Sequence, residues 1–384
     1  MIPIIIPVFG PEEQAAAAQT IASGWVVQGP QVQAFEQALA QAVHADHAVV
    51  VSSATAGLHL ALQVAGVGRG DDVLVPSLSF IATTNAVWMV GANPVFVDVA
   101  PDCPNITAET LAAAWTAQTK AVIAVHQLGL PLQRAAIAAL CAQRGAVLID
   151  DAACAIGSLH QGEPVGKGAE LAVFSFHPRK VITTGEGGAI TTTRADWAQR
   201  LRLLRQHGMT VAPAERHQTG ATEVYAEPGW NYRMTDLQAA VGVEQLKKLT
   251  AIVQRRRHLA QRYDELLSDV WDVAPLVPRA DDVWNAQTYC LCVAPDGRDV
   301  GPAQDTSARR NRVLAFLHGR QIGARRGILA AHLEPAWRNH PRGALPCSEA
   351  WAAQSLALPL HHYLTDEEQR YVVETLREAL NQGR

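Results

Sequence analysis

The sequence predicts an α/β protein: a large, mostly parallel sheet covered by helices on both faces, followed by a smaller α/β unit. Three observations carry this. Short, nearly continuous apolar runs recur between residues 47 and 193. Amphipathic or alanine-rich stretches of helical length separate them. Beyond residue 267 the rhythm gives way to a mixture of shorter strands and helices. Strands buried on both faces read as continuous apolar runs, and helical crossovers join them when they run parallel.

Taken in order, the strand candidates are residues 47–51, 73–75, 95–99, 121–125, 146–149, 171–176 and 189–193, seven in all. Helical stretches at 56–64, 108–117 and 132–144 lie between them. Sheets of this kind bind ligands at the carboxyl ends of their strands. A long helix is expected from the N-cap candidate Thr235 to about Leu267. Residues 289–293 read as a strand, and Thr365-Asp366-Glu367-Glu368 is a capping box that opens the final helix. The domain boundary is expected near residue 250. Residues 1–250, with an N-terminal arm over 1–30, form the large domain, and 251–384 form the small one.

The 384 residues carry a net charge of −4, so no basic face points to nucleic acid or to an anionic membrane. The opening Met1-Ile2-Pro3-Ile4-Ile5-Ile6-Pro7 is too short, too proline-broken and too poor in basic residues for a signal peptide. No apolar run is long enough to span a membrane. The six cysteines show no metal-ligand spacing, so no metal is expected, and free thiols suit a reducing cytoplasm.

The most informative segment is Ser175-Phe176-His177-Pro178-Arg179-Lys180-Val181-Ile182-Thr183-Thr184-Gly185-Glu186-Gly187-Gly188. A lysine between a strand end and a glycine-rich turn can point into a cleft. Desolvation there favours the neutral amine, which can attack a carbonyl. The chain has only five lysines, at 120, 167, 180, 247 and 248. Lys247 and Lys248 fall in the long helix, and Lys120 and Lys167 in polar connections. Lys180 is therefore the candidate to carry an aldehyde cofactor, and the nearby Ser175 can bind an anion. Together they point to pyridoxal phosphate.

Two further segments fit that cofactor. Val51-Ser52-Ser53-Ala54-Thr55-Ala56-Gly57 follows the first strand and opens a helix. Small residues let backbone N–H groups close on a phosphate, and the helix N-terminus adds positive potential; Ser53 and Thr55 add hydroxyls. Asp150-Asp151-Ala152-Ala153 ends the fifth strand. A carboxylate there can keep the pyridine nitrogen protonated; Asp151 is the choice, with Asp150 pairing structurally nearby. Phe80, just past the second strand, could stack on the ring.

These motifs, in this order, resemble the DegT/DnrJ/EryC1/StrS family of aminotransferases acting on (nucleotide-)sugars. The similarity also includes Ser23-Gly24-Trp25, Gly29-Pro30, Gly229-Trp230-Asn231-Tyr232-Arg233-Met234 and Leu358-Pro359-Leu360. The resemblance implies the pyridoxal-phosphate-dependent transferase fold of type I. It implies that Lys180 bonds the cofactor and shuttles a proton, that Asp151 pairs with the pyridine nitrogen, and that Phe80 stacks on the ring. Ala54 through its N–H, Thr55 and Ser175 would hold the phosphate. Asn231 would reach the phosphate of the neighbouring subunit, making the active site a property of a homodimer. The amino group would come from L-glutamate and pass to a keto sugar nucleotide.

Two departures bear on the site. Three residues after the cofactor aspartate, members commonly carry glutamine or histidine; this chain has Cys154, a poor hydrogen-bond donor. Ser53-Ala54-Thr55 is similar to the branch that makes 4-amino-arabinose on a nucleotide carrier. Residues 324–332 do not match that branch, so its substrate is not carried over. Arg325, Arg326 and His332 in that segment are candidates for substrate binding, since arginine forks suit diphosphate oxygens. A cyclitol ketone is the alternative acceptor. A non-catalytic regulator of the same fold is the alternative class, and it would need a DNA-binding or partner segment that the sequence does not offer.

Overall fold

The computed structural model describes residues 1–211, 222–293 and 307–382. The apolar runs become strands β1 (His47–Val51), β2 (Asp72–Pro76), β3 (Asn93–Val97), β4 (Thr119–Val125) and β5 (Val147–Asp151). A hairpin of β6 (Leu159–His160) and β7 (Glu163–Pro164) follows, then β8 (Leu171–Ser175) and β9 (Gly188–Thr192). All but the hairpin join one seven-stranded sheet in the order β1-β9-β8-β5-β4-β2-β3. Neighbours from β3 to β8 pair in parallel. β9 is antiparallel to both β8 and β1. No helix lies between β8 and β9, so the chain turns straight back on itself.

Helices α1 (Pro11–Ala22), α2 (Pro30–Ala42), α3 (Ala54–Val64), α4 (Ala82–Met89), α5 (Ala108–Ala114), α6 (Arg134–Arg144), α7 (Ala195–Leu204) and α8 (Asp236–Leu267) accompany this sheet. α3 and α7 pack on the side of β1, β8 and β9, while α1 and α2 pack against α8. The carboxylate of Asp236, buried at the start of α8, accepts the N–H groups of Gly29 (2.7 Å), Gln31 (3.1 Å) and Val32 (3.0 Å). It thereby caps α2, whose own N-terminal Gly29 has no side chain for the task. Farther along α8, a Cβ on Gly242 would fall 2.6 Å from the Phe35 ring, so only glycine allows α2 this close.

β10 (Val273–Pro275), β12 (Tyr289–Val293), β13 (Arg325–Arg326) and β14 (Ser355–Leu358) form a second, antiparallel sheet in the order β10-β12-β14-β13. β11 (Asp282–Val283) leaves it to pair with β6. α9 (Ala308–Gly319), α10 (Pro346–Gln354) and α11 (Asp366–Asn381) complete this unit. Thr365 caps α11, accepting from the N–H of Glu368 at 3.1 Å. One apolar core runs from Leu74, Val122 and Leu148 of the large sheet through Leu259 and Tyr263 of α8. It continues to Leu291, Leu356 and Leu376 of the second unit. The first residues of the chain also dock on that second unit. Ile2 exchanges bonds with Gln321 (2.8 Å) and Gly323 (2.7 Å), and Ile4 accepts from Leu360 (3.1 Å). Among the described residues no helix is long and apolar enough to cross a membrane.

Candidate active site

The carboxyl ends of β1, β2, β4, β5 and β8 meet at one edge of the large sheet, and the sequence-chosen residues follow from them. After β8 the chain makes a tight loop. Phe176 accepts from Thr184 N–H (3.0 Å) and from the Thr183 hydroxyl (2.8 Å), and Thr183 N–H reaches Gln245 of α8 (3.1 Å). Gly185 turns the corner at φ +83°, which favours glycine. This scaffold holds Lys180 with its Nζ donating to Sγ of Cys154 at 3.0 Å. The other lysines are placed differently. Lys167 pairs with Glu163 (2.7 Å), Lys247 with Glu244 (2.7 Å) and Lys248 with Glu12 and Glu13 (2.9 and 2.7 Å), while Lys120 is exposed.

Adjacent residues of a strand point to opposite faces, and β5 uses this to separate its two aspartates. Asp150 is buried against Arg134 Nε of α6, at 2.5 Å. Asp151 faces the edge beside Lys180. Its Oδ2 accepts from the Thr83 hydroxyl (3.0 Å), and its Oδ1 accepts from Ala153 N–H (3.2 Å). Burial pushes its carboxyl above the usual carboxylate range, against the pull of those two donors and of the Lys180 charge. A nearby cation would relieve that cost. Thr83 was not legible as a site residue: it sits in the first turn of α4, where a threonine reads as core.

Strand register builds the other end of the site. Gly188 lies opposite Val51 on one side and Ser175 on the other. A Cβ there would fall 2.4 Å from Ala54 N and from Ser53 C, so glycine lets Ser175 approach the start of α3. Ser53 caps α3, its Oγ accepting from Ala56 N–H at 3.2 Å. The helix's first N–H groups, at Ala54 and Thr55, open toward the same place, with the positive end of the helix dipole behind them. Phe80 stands at the entrance to α4, 62% exposed for so large a ring. Asn231 is exposed on its own chain, while Trp230 and Tyr232 on either side of it pack on His59 of α3.

These residues fit a phosphorylated pyridine aldehyde. They supply a helix N-terminus with a serine beside it, an exposed aromatic face, a buried carboxyl for a ring nitrogen, and an amine held by a weak partner.

Of the three substrate candidates, Arg325 turns toward the cleft. It lines a pocket with Ile4, Ile5, Arg179, Gln287, Thr288, Leu358 and Leu360. Arg326, the next residue of β13, is exposed on the opposite side. His332 is fully buried: Nδ1 contacts Ser77 Oγ, and Nε2 lies 3.2 Å from Glu349 Oε1. The structure thus does not gather the three at one point. Arg179 and Gln287, which sequence reasoning passed over, join Arg325 instead.

Fold and site together define an aminotransferase of the pyridoxal-phosphate type I fold. The chain belongs to the DegT/DnrJ/EryC1/StrS aminotransferase family, whose sequence model matches residues 7–377. Among solved structures, the aminotransferase TlmJ from Streptoalloteichus hindustanus is 33% identical, with a TM-score of 0.90 over 100% of this chain and 99% of that one. Spr1654 of Streptococcus pneumoniae, assigned as a sugar aminotransferase and solved in PMP and PLP forms, is 27% identical. Its PMP form gives a TM-score of 0.91 over 100% of both chains. PseC of Helicobacter pylori, an aminotransferase of pseudoaminic acid biosynthesis, is 26% identical, with a TM-score of 0.90 over 99% of both chains.

Proposed function

We propose that this protein moves an amino group from L-glutamate to a keto group of a nucleotide-linked deoxysugar, with pyridoxal phosphate bound at Lys180. The observation that carries the reading is the placement of Lys180 near Asp151 at one sheet edge, while three of the other four lysines are tied to glutamates. When bound, pyridoxal phosphate supplies an electron sink that stabilises negative charge on the reacting carbon of the substrate.

The chain's own residues do the rest. Asp151 holds a proton on the ring nitrogen, and Phe80 fixes the plane of the ring. Ser53, Ala54, Thr55 and Ser175 hold the phosphate. Lys180 Nζ takes the proton from the donor carbon and returns one to the product. Asn231, whose side chain points away from its own core, reaches the phosphate of a partner copy in a cytoplasmic homodimer. Residues 1–250 carry the cofactor, and residues 251–384 cover the substrate side.

The test is to run the purified protein with glutamate against nucleotide-linked keto sugars and cyclitol ketones. Amination of a nucleotide-linked sugar is expected. Turnover of cyclitol ketones alone would overturn the reading.

A further inference from the structure

Two guanidinium groups meet in the cleft with no acid to neutralise them. Arg325 reaches in from β13, and Arg179 from the loop residue next to Lys180. Among the described residues neither has a carboxylate within ion-pair distance, and Nε of Arg325 is buried with no hydrogen-bond partner. Oε1 of Gln287 is likewise buried and unpaired, although its Nε2 donates to the Arg179 carbonyl at 2.6 Å. The surrounding wall is apolar, formed by Ile4, Ile5, Leu358 and Leu360. Buried arginine normally has a partner, because an unpaired charge in apolar surroundings is costly. Burial, and next the charge of Arg179, pull the Arg325 pKa down, as expected where two cations face each other without an anion.

We propose that Arg179 and Arg325 form the carboxylate subsite for an α-amino acid, the amino donor of the reaction. Position selects this ligand over the acceptor's diphosphate. Arg325 also lies near Cys154, and Cys154 touches Lys180 Nζ. An amino acid carries its carboxylate on the very carbon that bears the amine. That carboxylate must therefore sit beside Lys180. A sugar diphosphate hangs on the anomeric carbon, across the ring from most keto positions. One fork on each carboxylate oxygen satisfies both guanidiniums.

The inference rests on the aminotransferase reading above, and its test separates the two. Glutarate, a dicarboxylate that cannot donate an amine, is titrated calorimetrically into the wild-type holoenzyme and into Arg179→Gln and Arg325→Gln. Each substitution should weaken glutarate binding and raise the KM for glutamate by about tenfold or more, the loss expected for a charge-assisted hydrogen bond. The KM for the keto sugar nucleotide should change far less. Arg179 is exposed on a loop, so its variant keeps the test alive if Arg325→Gln fails to fold. Unchanged glutarate binding in Arg179→Gln, or a rise confined to the KM for the sugar nucleotide, overturns the subsite. A wild type that binds glutarate through these arginines but does not react with glutamate overturns the function and leaves the subsite standing.

Discussion

The two walls of the cleft treat charge in opposite ways. On the rim of the large sheet, the ionisable groups of the site have partners within the chain. Asp150 has Arg134, Asp151 has Thr83 and the Ala153 N–H, and Lys180 has Cys154. Facing it, Arg325 of β13 meets Arg179 of the loop after β8, with no acid between them among the described residues. The first wall is self-contained and suits a resident group that stays through every turnover. The second wall is electrostatically complete only when an anion arrives, which suits a substrate that comes and goes. A charge left unpaired costs stability but holds binding energy in reserve for the ligand.

The largest expected effect comes from breaking the first wall at its centre. Lys180→Ala should lower the transamination rate by roughly a thousandfold or more, since one residue supplies both the attachment point and the proton transfer. Borohydride reduction followed by peptide mapping should place the pyridoxyl label on Lys180 in the wild type. A label on any other lysine refutes the assignment.

A finer cut separates the two aspartates of β5. Asp151→Asn should slow the glutamate half-reaction by on the order of 10²–10³ with little change in the melting temperature. Asp150→Asn should do the reverse. It should leave the half-reaction rate nearly intact and cost on the order of 1–3 kcal/mol in urea denaturation, at the low end for a broken ion pair because Arg134 is partly exposed. The same ordering in both assays would mean that the two faces of the strand are not chemically distinct.

The smallest effect is acid stability, which should depend on whether a buried histidine has an acid beside it. Burial pushes the pKa of His59, in α3, down to about 4 and that of His126, after β4, down to about 3, from about 6.5 in the unfolded chain. Below pH 6.5 the unfolded chain takes up protons that the folded chain refuses, so stability falls. The loss from His59 runs from about 6.5 down to about 4, and that from His126 runs on to about 3. Burial also lowers the pKa of His332, packed against Ser77 and Phe96 of the large sheet, but there Glu349 works to restore the charged form. Melting temperatures measured against pH should therefore show His59→Gln flattening the acid limb more than His332→Gln. Equal flattening would mean that Glu349 offsets nothing.

Much of the first wall could be read from the chain because it is built by local rules. The long helix, the seven strands and the Thr365 cap fall within a few residues of the periodicity that signalled them. Asp151 ends β5, and Lys180 lies in the short loop after β8; the direction of each strand fixes where its end emerges. Thr83 escaped because a threonine inside a helix gives no sign of which strand end it will face. The antiparallel return of β9 went unread because apolar content does not encode strand direction.

What the sequence alone determined, then, is the α/β class, the family, and the lysine and aspartate at the sheet edge. These depend on residues near one another in the chain and on a fixed strand-to-loop order. Only the tertiary structure decided which arginines share a pocket. Arg179 and Arg325 are separated by more than a third of the chain, and the adjacent Arg326 faces elsewhere because a strand alternates its side chains. It also decided that His332 is sealed against Ser77 and Glu349 and not presented to the cleft. Contacts of that range arise when two sheets share one core, and no local pattern of residue types records them.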